Sequence, residues 1–134
     1  MAVMNMEIKN CRLSKAISCK EEDTCVAVAK LMRSNKERHI IVCKGTKPVG
    51  IISSVDLVNK VMAEGKDPKK VKAKQIMTSP VHTIDVNESA VKAYFDMAKR
   101  NIYSCPVVDD GKLIGNIALH ETLRYMREQK EKQK

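Results

Sequence analysis

The apolar stretch PVGIISSVDLV, residues 48–58, is interrupted by hydroxyls and a carboxylate that could do chemistry. Ser53 and Asp56 lie three positions apart where a β-branched run gives way to a helical pattern, so both side chains can point the same way. The first turn of a helix presents free N–H groups and a partial positive charge, which suits phosphate. The same S-x-x-D spacing fits a capping box with Ser53 or Ser54 as the cap. A binding site and a helix cap are both consistent with this motif.

Other residue groups do not complete a catalytic or metal-binding site. The sequence GTKPVG, residues 45–50, has the glycine spacing of a P-loop, but Ile51 stands where that motif requires lysine. His39 and Cys43 could share one strand face as metal ligands, but nothing supplies the other two ligands of a zinc site. No nucleophile has an evident base and orienting partner. The sequence therefore predicts no enzymatic activity and no metal site.

The composition favours an anionic partner. The formal net charge is +9 at pH 7, which favours nucleotides, nucleic acid or anionic lipid, although basic runs also serve solubility. The first ten residues lack the features of a signal peptide, and no apolar run approaches the roughly 20 residues of a membrane span. The five cysteines are never spaced C-x-x-C, so we expect reduced thiols that act as small hydrophobes. These features predict a cytoplasmic protein without membrane contact.

Two stretches of the chain carry the same pattern at a shift of about 65 positions, and this repeat predicts the fold. Residues 24–58 align without a gap with residues 89–123, so that Asp56 matches Glu121. Each half has the pattern strand, helix, strand, turn, strand, helix. In the first half, Thr24 caps the first helix, and the second helix runs from Ser54 to about Ala63.

The predicted domains are residues 1–65, the first repeat with its lead-in, and residues 66–134, the linker, the second repeat and a basic C-terminal helix. One half of about 55 residues would bury too little alone, because a three-stranded sheet with two helices leaves an apolar face open. We therefore predict an α/β (α+β) fold in which two β-α-β-β-α repeats pack sheet to sheet as a pseudo-twofold pair. A cleft is expected between the halves.

Three segments together resemble a tandem pair of CBS domains, the family named after cystathionine β-synthase, also called a Bateman module. They are GIISSVDLV (50–58), CPVVDDGKLIG (105–115) and KAKQIMTSPVHTIDVNES (72–89). The resemblance covers about Leu13 to Met126 and suggests the small stand-alone prokaryotic type. It implies a regulatory module that binds an adenosine nucleotide (AMP, ADP or ATP), or S-adenosylmethionine, in the cleft between the repeats. It also implies a homodimer and no required cofactor.

The resemblance further implies where the nucleotide binds. Asp56 would grip both ribose hydroxyls, and Ser53 would contact ribose or phosphate. Arg38 and His39 stand where family members carry a basic residue aimed at phosphate, with solvated charge as the alternative. Tyr103 could stack on adenine or pack at the rim. The implied site residues are Arg38, His39, Ile51, Ser53, Asp56, Pro80, Val81, His82, Ile102 and Tyr103.

The second repeat departs from the family pattern at its matching site. Ala118 replaces the hydroxyl that matches Ser53, and Glu121 replaces the aspartate. We therefore expect a weaker or empty second site. Its implied residues are Ala16, Ile17, His120 and Glu121.

The expected function is that of a nucleotide sensor that signals to an effector protein which the sequence does not identify. Two other interpretations stay open. A nucleic-acid-binding protein would use the charge of +9, although aromatic residues interleaved with the basic runs are scarce. A structural dimerisation unit would have a cleft that is empty or plugged by side chains.

Overall fold

A computed structural model describes residues 6–132 of the chain, which form two compact units. The first-repeat unit is Ala16–Val81, and the second-repeat unit combines the described residues up to Lys15 with those from His82 onward. Within residues 6–132, each unit has one three-stranded sheet with helices, so the predicted mixed α/β class and its two repeats are confirmed.

The first-repeat unit contains three strands and three short helices. Their bounds are β1 (Ser18–Lys20), α1 (Cys25–Asn35), β2 (His39–Lys44), β3 (Lys47–Ser53), α2 (Ser54–Leu57) with a π turn (Val58–Met62), and α3 (Ala73–Ile76). Strand β1 runs parallel to β2, and β2 runs antiparallel to β3. As predicted, Thr24 caps α1, because its hydroxyl accepts a hydrogen bond from the Ala27 N–H at 3.2 Å. The second predicted helix also forms, but its last five residues adopt the wider π geometry.

The second-repeat unit has the same order of elements. Their bounds are a 3₁₀ turn (Ile8–Asn10), β4 (Ile84–Asp85), α4 (Ala90–Lys99), β5 (Ser104–Asp109), β6 (Lys112–Ala118) and α5 (Leu119–Lys132). Strand β4 pairs parallel with β5, and β5 pairs antiparallel with β6. Strands β2 and β3 correspond residue for residue with β5 and β6 at a shift of 65 positions. The sequence repeat is therefore a structural repeat.

Each unit completes its core with the segment that precedes the other repeat. Ile8, in the lead-in, is fully buried with Ile84 and Met97 of the second-repeat unit. Ala73 and Ile76, in the linker, are buried in the core of the first-repeat unit. The predicted domains, 1–65 and 66–134, divide the chain where the sequence repeat begins again, whereas the compact units group residues that contact one another in the structure.

Candidate ligand-binding site

Asp56 lies in the first turn of α2 and forms a reciprocal capping box with Ser53. The Ser53 N–H donates to Asp56 Oδ2 at 2.8 Å, and the Asp56 N–H donates to Ser53 Oγ at 3.1 Å. The capping interpretation is therefore confirmed, with Ser53 as the cap. A cap does not exclude a ligand, because a carboxylate has about four acceptor positions.

Lys60 is a second partner of Asp56. Its Nζ lies 3.1 Å from Asp56 Oδ1 and donates to the carbonyl of Ile76 at 2.9 Å. The lysine therefore connects the start of α2 to the end of α3. Sequence reasoning missed this residue, although the spacing of four positions from Asp56 is the usual spacing of a helical ion pair.

Asp56 is held in its charged form. Burial raises the pKa of the carboxyl group, but hydrogen bonds from the Ser53 N–H and from Lys60 outweigh burial and leave the pKa below its ordinary value. The side chain of Asp56 is 19% exposed, so solvent still reaches it. At neutral pH this group is an accessible anion that can only accept hydrogen bonds.

The segment that follows α3 pairs with β3, the strand that leads into the helix of Asp56. The N–H of Ile51 donates to the carbonyl of Thr78 at 3.0 Å, and the Thr78 N–H donates to the carbonyl of Ile51 at 2.9 Å. A Cβ on Gly50 would lie 2.5 Å from Met77 Sδ, so glycine at this position permits the approach of the linker. The structure thus places Ile51, Ser53 and Asp56 in one unit with the segment that leads to Pro80 and Val81, of which Pro80 is exposed and Val81 half-buried.

Arg38 and His39 adjoin the helix cap. The carbonyl of Arg38 accepts a hydrogen bond from the Ser54 N–H at 2.9 Å, and His39 pairs with Ser53 in the sheet. Both side chains are exposed. Within residues 6–132, neither side chain forms an ion pair, so both remain available to an anion.

Three of the predicted site residues belong to the second-repeat unit. His82 Nε2 lies 2.8 Å from Asp96 Oδ2, and Arg100 Nε donates to the other oxygen of that carboxylate at 3.0 Å. Ile102 packs against the core of this unit. Tyr103 is 75% exposed.

The predicted second site carries an acid that is already paired. Glu121 accepts a hydrogen bond from Arg124 Nε at 2.8 Å, and His120 Nε2 lies 3.5 Å from its other oxygen. The hydrogen bond from Arg124 lowers the pKa of Glu121. Arg124 also contacts Glu128. Ala16 and Ile17 are half-buried residues of the first-repeat unit, where the Ile17 carbonyl accepts from the Ile41 N–H at 3.0 Å.

The cysteines are buried, in agreement with the prediction that they act as small hydrophobes. All five are free thiols, and burial raises the pKa of Cys11 to about 11 and those of Cys19 and Cys105 to about 12. Among residues 6–132, no three His, Cys, Asp or Glu side chains cluster as a metal site would require. Nor does any described helix have the length and apolar character needed to cross a bilayer.

Comparison with known proteins gives a match over both repeats. The family model for the CBS domain matches residues 8–63 and 73–128. An uncharacterized protein of Methanopyrus kandleri is 36% identical over 104 residues, which cover 76% of this chain and 53% of that protein. The chain therefore spans about half the length of this relative.

Solved structures of similar fold include two whose descriptions name a bound metal or an assembly. The crystal structure of Hypoxic Response Protein I with two coordinated zinc ions has a TM-score of 0.76 at 21% identity, covering 89% of this chain and 98% of that one. The hexameric CBS-CP12 protein from bloom-forming cyanobacteria has a TM-score of 0.68 at 26% identity, covering 88% of this chain and 70% of that one. The first likeness supports the fold alone.

Proposed function

Because the chain belongs to the CBS domain family and carries two copies of that domain, we propose that it is a regulatory module that binds an adenosine nucleotide at Asp56. Proteins with CBS pairs are generally regulatory, ligand-binding modules rather than catalysts. The ligand is AMP, ADP or ATP, with S-adenosylmethionine as a further candidate. No cofactor is required for this role.

The observation that carries the proposal is the charged, partly accessible carboxylate of Asp56 at the junction of β3 and α2. One of its oxygens accepts from the Ser53 N–H and the other from Lys60. A carboxylate has about four acceptor positions, so two remain for the paired hydroxyls of a ribose. Hydrogen bonds to a charged acceptor contribute about 1.5 to 3 kcal/mol, which makes this acid the dominant contact.

Phosphate recognition is proposed to rest on Arg38 and His39 rather than on the helix start. The N–H groups of Ser54 and Asp56 already donate to the Arg38 carbonyl and to Ser53 Oγ. Helix α2 also has only four residues before its π turn. These facts reduce what the helix itself can offer an anion, whereas the two exposed basic side chains stay free within the described chain.

Association into a homodimer is part of the same proposal. On α2 and its π turn, Val55, Val58 and Met62 are 60%, 57% and 75% exposed. Exposed apolar side chains at this helical spacing favour burial in a protein interface. The hexameric assembly named for the cyanobacterial relative supports oligomerisation in general.

A thermal-shift panel tests the proposed ligand. The full chain is heated with AMP, ADP, ATP or S-adenosylmethionine, with GTP as a control for the base. A ligand at a hundredfold its dissociation constant should stabilise the chain by about 2.7 kcal/mol. If no adenosine ligand shifts the transition, the proposed function is wrong.

One alternative, nucleic-acid binding, is favoured by the charge of +9. That function predicts a steep fall in affinity with salt and no dependence on Asp56. The thermal-shift panel should therefore include a DNA duplex in low and high salt. A structural dimerisation unit predicts no shift with any of these ligands.

A further inference from the structure

Lys60 connects the proposed nucleotide site to the segment that follows α3. Its Nζ lies 3.1 Å from Asp56 Oδ1 and donates a hydrogen bond to the carbonyl of Ile76 at 2.9 Å. Ile76 is the last residue of α3, and the carbonyls at the end of a helix have no partner within that helix. The lysine therefore gives a partner to this carbonyl and to the acid at the same time.

Residues 76–79, called the docking segment below, lie against β3 through polar contacts. Ile51 and Thr78 exchange two backbone hydrogen bonds at 3.0 and 2.9 Å, and Ser79 Oγ donates to the carbonyl of Val49 at 2.7 Å. Helix α3, which the docking segment follows, has only four residues and is too short to be stable without such contacts. Because local opening of a segment of this kind costs less than global unfolding, one added hydrogen bond can shift its equilibrium.

The second-repeat unit has the same backbone pairing. Ser14, in the lead-in to that unit, exchanges two backbone hydrogen bonds with Asn116 of β6, both at 2.9 Å. This pair corresponds to the pair that Thr78 forms with Ile51 of β3. The docking of a preceding segment onto the last strand is therefore common to both repeats.

The lysine link, in contrast, is particular to the first repeat. At the shift of 65 positions that relates the repeats, Lys60 corresponds to Tyr125, which packs against the core of its unit. The acid of the second repeat, Glu121, pairs instead with Arg124, which also contacts Glu128 on the same helix. Repeat architecture alone therefore does not account for a cation that joins the acid to the docking segment.

The helix geometry around Lys60 also differs between the repeats. The π turn Val58–Met62 carries Lys60, whereas α5 of the second repeat remains α-helical over the matching residues. A π turn has more residues per turn than an α-helix, so it changes where Lys60 lies relative to Asp56. Single π turns within helices are frequently found at functional sites.

We propose that Lys60 is a positioning residue that couples nucleotide binding at Asp56 to the closure of the docking segment on β3. This inference rests on the proposed function, because it needs a ligand at Asp56. The ribose hydroxyls leave Lys60 in place, since a carboxylate has about four acceptor positions. The Lys60 side chain is 43% exposed, so water screens the ion pair.

A bound nucleotide displaces this water and strengthens the attraction between Lys60 and Asp56. The ammonium group is then held more firmly on the carbonyl of Ile76, and the docking segment opens less often. The coupling is reciprocal, so a closed docking segment favours nucleotide binding by the same factor.

Hydrogen exchange of single amides, followed by NMR in the full chain, tests the proposal. The ligand is whichever of AMP, ADP, ATP and S-adenosylmethionine stabilises the chain most, at a concentration that saturates each variant in calorimetry. The Thr78 N–H reports on the docking segment, and the Ser14 N–H, its counterpart in the second-repeat unit, is the internal reference. In the wild type, ligand should slow exchange at Thr78 relative to Ser14 by at least about fivefold.

Two variants locate the coupling. Lys70→Met replaces an exposed lysine of the linker and should keep the full effect at Thr78. Lys60→Met should bind the ligand at least about fivefold more weakly, and at saturation the effect at Thr78 should vanish. The same slowing of Thr78 in Lys60→Met as in the wild type would overturn the proposal, because the ligand would then act on the docking segment directly.

The remaining outcomes separate this inference from the proposed function. If none of the four ligands binds the wild type, the proposed function is wrong and the coupling falls with it. If the wild type binds but exchange at Thr78 is unchanged, the coupling alone is wrong. Complete loss of binding in Lys60→Met would also overturn the coupling, since Lys60 would then be a direct ligand contact.

Discussion

Replacing Lys60 with methionine tests whether this side chain ties the nucleotide site to the linker. The substitution keeps an unbranched apolar stem but removes the ammonium group, which lies 3.1 Å from Asp56 Oδ1 and 2.9 Å from the Ile76 carbonyl. Wild-type chain should therefore be more stable than Lys60→Met at neutral pH. The capping box between Ser53 and Asp56 should remain intact, since neither of its bonds involves Lys60.

The size of the effect follows from these two contacts. The ion pair has helical spacing, and the side chain of Lys60 is 43% exposed, so solvent screening limits its contribution to about 0.3–0.5 kcal/mol. The hydrogen bond to the Ile76 carbonyl adds about 1 kcal/mol. Together they predict that the free energy of unfolding of Lys60→Met is lower than that of the wild type by roughly 1 to 1.5 kcal/mol.

Urea denaturation of the full chain measures this difference, with Lys70→Met as the matched control. Lys70 is an exposed linker lysine whose side chain has no partner within residues 6–132. High salt should reduce the loss in Lys60→Met only by the ion-pair part, because the hydrogen bond is short-range. Equal stability of the two variants would refute the assigned role of Lys60.

Three further predictions follow from the fold and its charged groups. The pKa of Asp56 is lowered in the folded chain, so its charged form adds to the free energy of unfolding of the wild type relative to Asp56→Asn. This difference should be complete above the ordinary pKa of about 3.9 and should be lost as the pH falls through the lowered pKa. Urea denaturation of both chains at a series of pH values measures it. Gly115→Ala should destabilise the chain more than Gly50→Ala in thermal unfolding, because the new Cβ would meet the Ser14 backbone oxygen at 2.9 Å rather than the movable side chain of Met77; the reverse order would contradict this packing. The buried thiols should react slowly with a disulfide reagent in the native chain and release five equivalents only on unfolding, whereas rapid native reaction would contradict their burial.

Local sequence signals predicted most of the fold. The pairing of β2 with β3 and of β5 with β6 could be predicted, because a short turn joins the two strands of each pair and the gapless repeat places that turn at the same position in both halves. The helix cap at Thr24 follows from local chemistry, since a hydroxyl followed by a helical pattern is a strong start signal, but the same signal left Ser53 and Ser54 as alternatives for the second cap. These features depend on residues that are close in sequence.

The features that sequence reasoning missed depend on distant contacts. Helix α3 has four residues, too few for a periodic pattern, and Ala73 and Ile76 are buried in a core cluster that also contains residues of α1 and β3. The bridge between Ile51 and Thr78 joins residues that no local pattern connects. The contact from Lys60 to the Ile76 carbonyl joins residues 16 positions apart, so only the ion pair of Lys60 with Asp56 could be expected from sequence spacing.

Calorimetric titration of the wild-type chain, Asp56→Asn and Glu121→Gln with the nucleotide that gives the largest thermal shift tests the central claim most directly. Asp56→Asn keeps an oxygen that can accept from Ser53 but removes the charge, so the nucleotide should bind about ten- to a hundredfold more weakly. Glu121→Gln makes the matched change in the second repeat and should leave that affinity unchanged, because Glu121 is already paired with Arg124. Equal affinity of wild type and Asp56→Asn would contradict the claim that this carboxylate holds the ligand.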